Sequence, residues 1–133
     1  MSGYLLDTNI VSALMRAPQG PLAQRIARVG ETNVFVSVIV AAELRFGALR
    51  KRSRRLLAEL EGILAELEVK PLEAAAAVHY GHLRAALERP GTPIGANDML
   101  LAAHALALDA TLVTDNEREF GRVEGLRVAN WLR

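Results

Sequence analysis

Four aspartates occur in this chain, and three of them stand where they could form a reactive site. Asp7 directly follows the apolar run YLL, and Asp115 directly follows the run ATLVT. Asp98 lies near the start of PIGANDMLLAAHALAL, a stretch that is apolar on nearly every helical face. The remaining one, Asp109, follows that stretch and is typical of a turn. Grouped carboxylates repel one another and raise one another's pKa unless a cation neutralises them, so a shared site would call for a metal ion.

Glu43 is a further candidate, because it lies in VAAELRF among apolar neighbours that are a poor setting for an unpaired acid. Asp7 and Asp115 follow predicted strands, and the carboxyl ends of parallel strands meet at one edge of a sheet. If the helices carrying Glu43 and Asp98 begin there, four carboxylates converge. Hard oxygen ligands with no Cys and no nearby His suit Mg²⁺, with Mn²⁺ able to substitute. Such ions can activate a water and stabilise the leaving oxygen of a phosphodiester, so these residues predict metal-dependent phosphoryl hydrolysis.

Each acid also has a purely structural explanation. Asp7 and Asp98 could cap the helices that follow them, where the helix macrodipole favours a carboxylate. Asp115 could be an ordinary turn residue. If all four acids lie at one edge of the sheet, one shared site explains them more simply than four unrelated structural roles. We therefore expect a site.

Short apolar strands alternate with helices along the chain. The pattern predicts strands at 4–6, 34–38 and 110–114, an extended piece at 69–72 and a last short strand at 126–128. Helices are predicted at 10–14, 22–29, 39–49, 54–67, 73–88 and within 93–108. This alternation is typical of an α/β sandwich with a mostly parallel central sheet. The sequence has no linker, repeat or low-complexity tract, which predicts one domain over residues 1–133.

The composition excludes several classes of protein. The 133 residues contain no cysteine, which excludes disulfides, thiolate metal sites and cysteine nucleophiles. No apolar run approaches the roughly 18 residues of a membrane span, and residues 1–7 do not resemble a signal peptide. We therefore expect a soluble, cytoplasmic protein with no membrane partner. The net charge of +1 does not by itself indicate a polyanionic partner.

Four motifs, in order, resemble one known family: LLDTN (5–9), VSVIVAAELRFG (36–47), PIGANDMLLAAHALAL (93–108) and TLVTDNEREF (111–120). The set is similar to the PIN domain, and most similar to the VapC toxins of bacterial type II toxin–antitoxin pairs. The resemblance implies a PIN-like three-layer α/β/α sandwich. It implies an endoribonuclease that uses Mg²⁺ or Mn²⁺ and cleaves structured RNA, of the tRNA or rRNA class, by metal-activated water. It also implies a VapB-type antitoxin that neutralises the enzyme, and a homodimer or a larger toxin–antitoxin assembly.

The resemblance also assigns roles to individual positions. Three acids match the family's site, as catalytic residues and as metal ligands: Asp7, Glu43 and Asp98. The family varies between Asp and Asn at the two positions held here by Asp115 and Asn116. We take Asp115 as the fourth catalytic acid and metal ligand, with Asn116 or Glu119 as the alternatives. Polar positions that would orient the acids or the bound phosphate are Thr8, Asn9, Asn97, Thr114 and Asn116.

Basic residues are concentrated in the segment 45–55, here called the basic segment, which holds six of the sixteen basic residues and no acid. Charge alone favours a solvated helix end, partly balanced by the glutamates that follow. An RNA substrate changes this interpretation, because an acidic site repels RNA and basic neighbours would hold its backbone. Arg50, Arg52 and Arg55 are then candidates for contacting RNA or an acidic antitoxin segment. A steric role in dimerisation is equally open.

Other interpretations fit less well. His79 and His82 are three residues apart on a predicted helix, but no third zinc ligand lies nearby in the sequence. These two and His104 are expected to pack in the helical layer or at a dimer surface. A haloacid-dehalogenase phosphatase would need a second aspartate where Asn9 stands. The alternative function is a non-catalytic PIN-like module that binds RNA or protein.

Overall fold

The computed structural model describes residues 3–133, and the first two residues of the predicted 1–133 domain lie outside that range. The strands are β1 (Tyr4–Leu6), β2 (Val34–Ser37), β3 (Glu68–Lys70), β4 (Thr111–Val113) and β5 (Val128–Ala129). The helices are α1 (Thr8–Arg16), α2 (Pro21–Val29), α3 (Val38–Arg50), α4 (Arg54–Glu66), α5 (Ala74–Glu88), α6 (Ala96–Leu108) and α7 (Glu117–Phe120), with a 3₁₀ turn at Glu31–Asn33. The predicted strands at 4–6, 34–38 and 110–114 and all six predicted helices are confirmed, with small shifts at their ends. The extended piece predicted at 69–72 overlaps β3, and the last strand predicted at 126–128 overlaps β5 only at Val128.

β1 lies at the centre of a five-stranded sheet with the order β3-β2-β1-β4-β5. Tyr4 pairs with Val34 of β2 on one side and with Thr111 of β4 on the other. Every pairing between the described strands is parallel, which confirms the predicted sheet. The chain runs outward from β1 to β3 and then returns to β4 beside β1. The crevice beyond β1 and β4 is therefore the topological switch point, where sheets of this kind bind ligands.

Helices cover both faces of this sheet, as the three-layer prediction requires. The central strand residues Leu5, Leu6, Val34, Val36 and Leu112 are all 0 % exposed. Alternate residues of a strand point to opposite faces, so burial of both Leu5 and Leu6 needs cover on each side. Crossovers between parallel strands are right-handed, and the reversal of direction after β3 distributes the helices between the two faces.

α6 is buried along most of its length, and this explains its nearly continuous apolar sequence. Met99, Leu101 and residues 102–105 are all buried, and His104 is the one polar side chain among these buried positions. Despite this hydropathy, no helix within residues 3–133 is both long and apolar enough to cross a membrane.

Two differences from the sequence prediction have simple local causes. β2 ends at Ser37 rather than at Val38, because the Ser37 hydroxyl oxygen caps α3 by accepting a hydrogen bond from the Ile39 amide at 3.1 Å. α7 was not predicted, since a four-residue helix is too short to show a periodicity. It is anchored by Phe120, which is fully buried.

Candidate active site

Asp7 is the first residue after β1, and its side chain is held from two sides. One carboxylate oxygen, Oδ1, accepts a hydrogen bond from the Thr8 amide at 2.7 Å and so caps α1. The other, Oδ2, accepts one from the Thr114 hydroxyl at 2.7 Å. The backbone amide of Asp7 also donates to the Val113 carbonyl of β4 at 2.9 Å. Asp7 is therefore both a helix cap and a rigidly placed carboxylate at the switch point.

Asp98 is the third residue of α6, and it does not cap that helix. The N-cap position is Gly95, and no side chain accepts a hydrogen bond there. The Asp98 carboxyl is half-buried. Its pKa is raised from 3.8 to about 6, first by burial and then by the negative charges of Asp7, Glu119 and Glu43. The capping explanation is wrong for Asp98, whose environment is that of a site carboxylate.

Glu43 lies in the second turn of α3 and is exposed, contrary to the expectation drawn from its apolar sequence neighbours. Val40 and Ala41 point inward and are fully buried, while Ala42 and Glu43 face solvent. The pKa of Glu43 is raised, mainly by partial burial and then by the charge of Asp7, while the Asn97 side chain acts in the opposite direction. Glu43 therefore lies close to Asp7, and the Asn97 side chain lies beside Glu43.

The two acids considered for the fourth position, Asp115 and Glu119, lie in different surroundings. Asp115 is exposed, and its carboxylate accepts a hydrogen bond from the Asn130 amide group at 3.0 Å. It does not appear among the charges that raise the pKa of Asp98, whereas Glu119 does. Glu119 lies on α7 and accepts a hydrogen bond from the side chain of Asn116. The structure thus brings Glu119 toward Asp98 and leaves Asp115 at the rim.

Polar side chains connect the ends of β1 and β4. The Asn116 amide donates to the Thr114 hydroxyl at 2.9 Å, and that hydroxyl in turn donates to Asp7. The Asn9 side chain donates to Asp7 Oδ2 at 3.4 Å and accepts from the Asp115 amide at 3.2 Å. Of the predicted supporting residues, Thr8 takes part through its backbone amide, and Asn116 through both its backbone amide and its side chain. Asn9, Asn97 and Thr114 take part through their side chains.

A family model described as the PIN domain matches residues 4–126. The chain belongs to the PIN-domain family. Among its curated relatives, Ribonuclease VapC2 of Rickettsia felis is 38% identical over 130 residues, 96% of this chain and 97% of that protein. The tRNA(fMet)-specific endonuclease VapC of Shigella flexneri is 36% identical over 132 residues, 98% of this chain and 99% of that protein.

Solved structures agree with this assignment of the PIN domain. VapBC2 from Rickettsia felis, bound to a DNA fragment from its promoter, matches with a TM-score of 0.90 and 36% identity, over 96% of this chain and 98% of that one. FitAcB from Neisseria gonorrhoeae matches with a TM-score of 0.84 and 27% identity, over 98% of this chain and 99% of that one. The predicted PIN-like fold and the resemblance to VapC ribonucleases are confirmed.

The donor set of this PIN domain suits a hard divalent cation. Within residues 3–133, no Lys or Arg forms an ion pair with Asp98 or Glu43, and the charges that shift their pKa values are all negative. Carboxylate oxygens are the ligands that Mg²⁺ and Mn²⁺ prefer. Within residues 3–133, no three His, Asp or Glu side chains are close enough together to form a ready-made metal cage. The fit is therefore one of ligand chemistry and charge, and binding would draw the carboxylates inward.

The basic segment lies at the corner between α3 and α4 of the PIN domain. Arg45 is engaged by Glu61 through two hydrogen bonds of 2.8 and 2.9 Å, which joins the two helices. Arg50 lies over the Phe46 ring, 5.4 Å from its centroid. In the described part of the chain no carboxylate pairs with Arg50, Arg52 or Arg55, all of which are exposed.

The three histidines take no part in the acidic site. His79 and His82 lie on α5 and line a cleft with Arg122 and Glu124, and neither belongs to a metal-binding group among the described residues. His104 is 1 % exposed in the middle of α6. The expectation that it packs in the helical layer is confirmed. Its Nδ1 atom also forms a hydrogen bond with the Ser37 hydroxyl.

Proposed function

We propose that this PIN domain is a metal-dependent endoribonuclease and the toxin of a VapBC-type toxin–antitoxin pair. The observation that carries the proposal is the set of acids at the switch point, Asp7, Glu43, Asp98 and Glu119, none of which is paired with Lys or Arg in the described part of the chain. A site that only bound RNA would carry the opposite charge. The near full-length similarity to proteins named Ribonuclease VapC2 and tRNA(fMet)-specific endonuclease VapC supports the same activity.

Mg²⁺, with Mn²⁺ able to substitute, is the proposed cofactor. Asp7, Glu43 and Asp98 would hold it, with Asp115 or Glu119 as the fourth acid. When bound, the cation would activate a water for attack on the RNA phosphorus and neutralise charge on the phosphoryl oxygens. Of the two candidates for the fourth acid, the proximity of its charge to Asp98 favours Glu119.

The protein's own residues would set the geometry of this site. The Thr114 hydroxyl and the Thr8 amide fix the two oxygens of Asp7, so that carboxylate cannot rotate away from the switch point. Asn97 stands beside Glu43 and favours its ionised form. Asp98 is carried by the buried helix α6, which has little freedom to shift. These contacts would keep Asp7 and Asp98 in place when a cation or a substrate binds.

The proposed substrate is structured RNA of the tRNA or rRNA class, and the proposed regulator is a VapB-type antitoxin. Two of the curated relatives are named tRNA(fMet)-specific endonucleases, and solved relatives are described as VapBC complexes. The exposed arginines of the basic segment, Arg50, Arg52 and Arg55, are suited to contact RNA phosphates or an acidic antitoxin segment. Location in the cytoplasm stays a prediction.

Cleavage by the purified protein tests the proposal. Total tRNA, initiator tRNA and rRNA are incubated with the protein in Mg²⁺, in Mn²⁺ and in EDTA, and the products are sequenced at their 5′ ends. We expect cleavage with either metal, products with 5′-phosphate and 3′-hydroxyl ends, and none in EDTA. Asp98→Asn should remove the activity, while the same exchange at the remote turn residue Asp109 should preserve it. RNA binding without cleavage of any RNA would favour the non-catalytic module instead.

A further inference from the structure

A buried hydrogen bond joins the two helices that carry Glu43 and Asp98. The Ser37 hydroxyl and His104 Nδ1 lie 2.9 Å apart, and the two residues are 0 % and 1 % exposed. Ser37 caps α3 six residues before Glu43, and His104 lies on α6 six residues after Asp98. Each partner is thus about 9 Å along its helix from the acid, at 1.5 Å per residue.

The hydrogen-bond network assigns a direction to this contact. The Ser37 oxygen already accepts from the Ile39 amide at 3.1 Å, and its single hydrogen has no other acceptor among the hydrogen bonds of the structure. We assign the hydroxyl as the donor to Nδ1, and with this assignment the ring hydrogen of His104 lies on Nε2. Burial lowers the pKa of His104, so the ring stays neutral near pH 7.

The other ring nitrogen makes His104 an unfavourable choice for stability alone. Nε2 is buried and has no hydrogen-bond partner within the described residues. The Pro71 backbone raises the pKa of His104 by hydrogen bonding, but Nε2 forms no hydrogen bond of good geometry with any described residue. A buried donor without a partner destabilises a fold, whereas an apolar side chain of similar size would suit this part of α6. The hydrogen bond between Nδ1 and Ser37 explains why a histidine occupies this position, which apolar packing alone does not.

We propose that the Ser37–His104 hydrogen bond is a positioning link that fixes α3 against α6 and so sets the separation of the Glu43 and Asp98 carboxylates. The proposal rests on the proposed function, because it takes these two acids as parts of one catalytic site. His104 is a positioning residue, since it acts through the helices and not on the substrate. Without the link, α3 can slide against α6, and small displacements of catalytic groups have large effects on rate.

His104→Leu tests the link, because it removes both ring nitrogens and keeps the apolar volume. We expect a Tm equal to or above that of the wild type, since the unpartnered Nε2 is gone. We expect kcat for RNA to fall about tenfold with little change in KM, and Mn²⁺ binding measured by calorimetry to weaken. His104→Asn, whose side-chain oxygen can stand where Nδ1 stood, should restore most of kcat and of the Mn²⁺ affinity.

A pair of cap variants gives a matched control. Ser37 caps the start of α3 by accepting a hydrogen bond of 3.1 Å from the Ile39 amide, and Asn33 caps the end of α2 by donating one of 2.7 Å to the Val29 carbonyl. Ser37→Ala and Asn33→Ala should both lower Tm by a few degrees. Measured well below both Tm values, only Ser37→Ala should lower kcat. This comparison decides the question even if His104→Leu fails to fold.

Equal kcat for the two cap variants overturns the link. The link is also overturned if His104→Leu lowers kcat and His104→Asn does not restore it. A fall in kcat that is fully explained by a loss of folded protein overturns it as well. These results leave the proposed function intact as long as Asp98→Asn is inactive. Full cleavage by Asp98→Asn would instead refute the proposed site, and the link with it.

Discussion

At the residue scale, Asp98 combines partial burial with the proximity of three other carboxylates. Its pKa of about 6 results from both causes, burial first. An acid whose pKa is raised in the folded state binds protons that the unfolded chain has already released. The free energy of unfolding therefore falls as pH rises from about 4 to 6, and the full loss persists at higher pH. A bound cation would remove this loss.

Asp98→Asn should stabilise the metal-free protein above pH 6, while abolishing metal-dependent RNA cleavage. A pKa raised from 3.8 to about 6 corresponds to about 3 kcal/mol without screening. Asp98 is partly exposed, so we expect a gain of about 1 kcal/mol. Urea denaturation in EDTA at pH 5 and pH 8 measures it, with the gain larger at pH 8. Added Mg²⁺ should stabilise the wild type more than the variant, and equal stabilisation would contradict the assignment of Asp98 as a ligand.

Glu119→Gln should reduce Mg²⁺-dependent cleavage more than Asp115→Asn does. Glu119 acts on Asp98 electrostatically, whereas Asp115 is exposed and bonded to Asn130. We expect a loss of about tenfold or more for Glu119→Gln and a much smaller one for Asp115→Asn. The Mg²⁺ concentration that gives half-maximal rate should rise only for Glu119→Gln. The reverse order would restore Asp115 as the fourth ligand.

At the scale of single elements, α4 begins in a way that is unfavourable for a helix. Ser53 caps it, but its first turn contains no acid and starts with Arg54 and Arg55. The helix macrodipole favours negative charge at this end. Arg52, just before the cap, has the positive φ of 54°, which is uncommon outside glycine. Because these features are unfavourable for α4 itself, we infer that the basic segment serves contact with an anionic partner.

Arg55→Glu should therefore stabilise the protein. It places a carboxylate at the positive end of α4, which is worth about 0.5 kcal/mol at low ionic strength. Thermal denaturation at low and at high salt measures the gain, which should shrink as salt is added. Arg28→Glu, near the carboxyl end of α2, is the matched control and should be neutral or destabilising. A loss of stability in Arg55→Glu would show that Arg55 already has a stabilising partner in solution.

At the scale of the whole molecule, a net charge of +1 conceals an uneven distribution of charge. Acids collect at the switch point, and unpaired arginines collect at the corner between α3 and α4. Phe46 and Leu49 on α3 add an exposed apolar surface, at 62 % and 63 % exposure. The homodimer or larger assembly implied by the family resemblance stays a prediction. Light scattering would compare the mass of Phe46→Glu with that of the wild type, and so test whether the surface formed by Phe46 and Leu49 is buried in that assembly.

Replacement of Arg50, Arg52 and Arg55 together by Ala should weaken RNA binding and flatten its dependence on salt. Each lost phosphate contact lowers the slope of log K against log[salt] by about 0.7 to 0.9. The slope is measured by filter binding with the inactive Asp98→Asn protein, so that the RNA stays intact. An unchanged slope would assign the basic segment to another partner, such as the antitoxin.

The sequence by itself was enough to predict a parallel sheet and the succession of its strands and longer helices along the chain, and it pointed to Asp7, Glu43 and Asp98 as candidate site acids. Hydrophobic periodicity and strand-end positions are local patterns, and they place Asp7 directly after β1 and Asp98 at the start of α6, as the structure has them. The parallel arrangement follows from the alternation of strands and helices, so the convergence of the acids was predictable too.

Only the tertiary structure decided what depends on contacts between distant parts of the chain. It placed Glu119 rather than Asp115 beside Asp98, because the single-turn helix α7 has no periodic signal and is oriented by the burial of Phe120. It showed Glu43 exposed, since the direction of a side chain depends on how α3 packs. It joined Ser37 to His104 across 67 residues of sequence. Such pairs are selected by the packing of whole helices, and no local pattern contains that information.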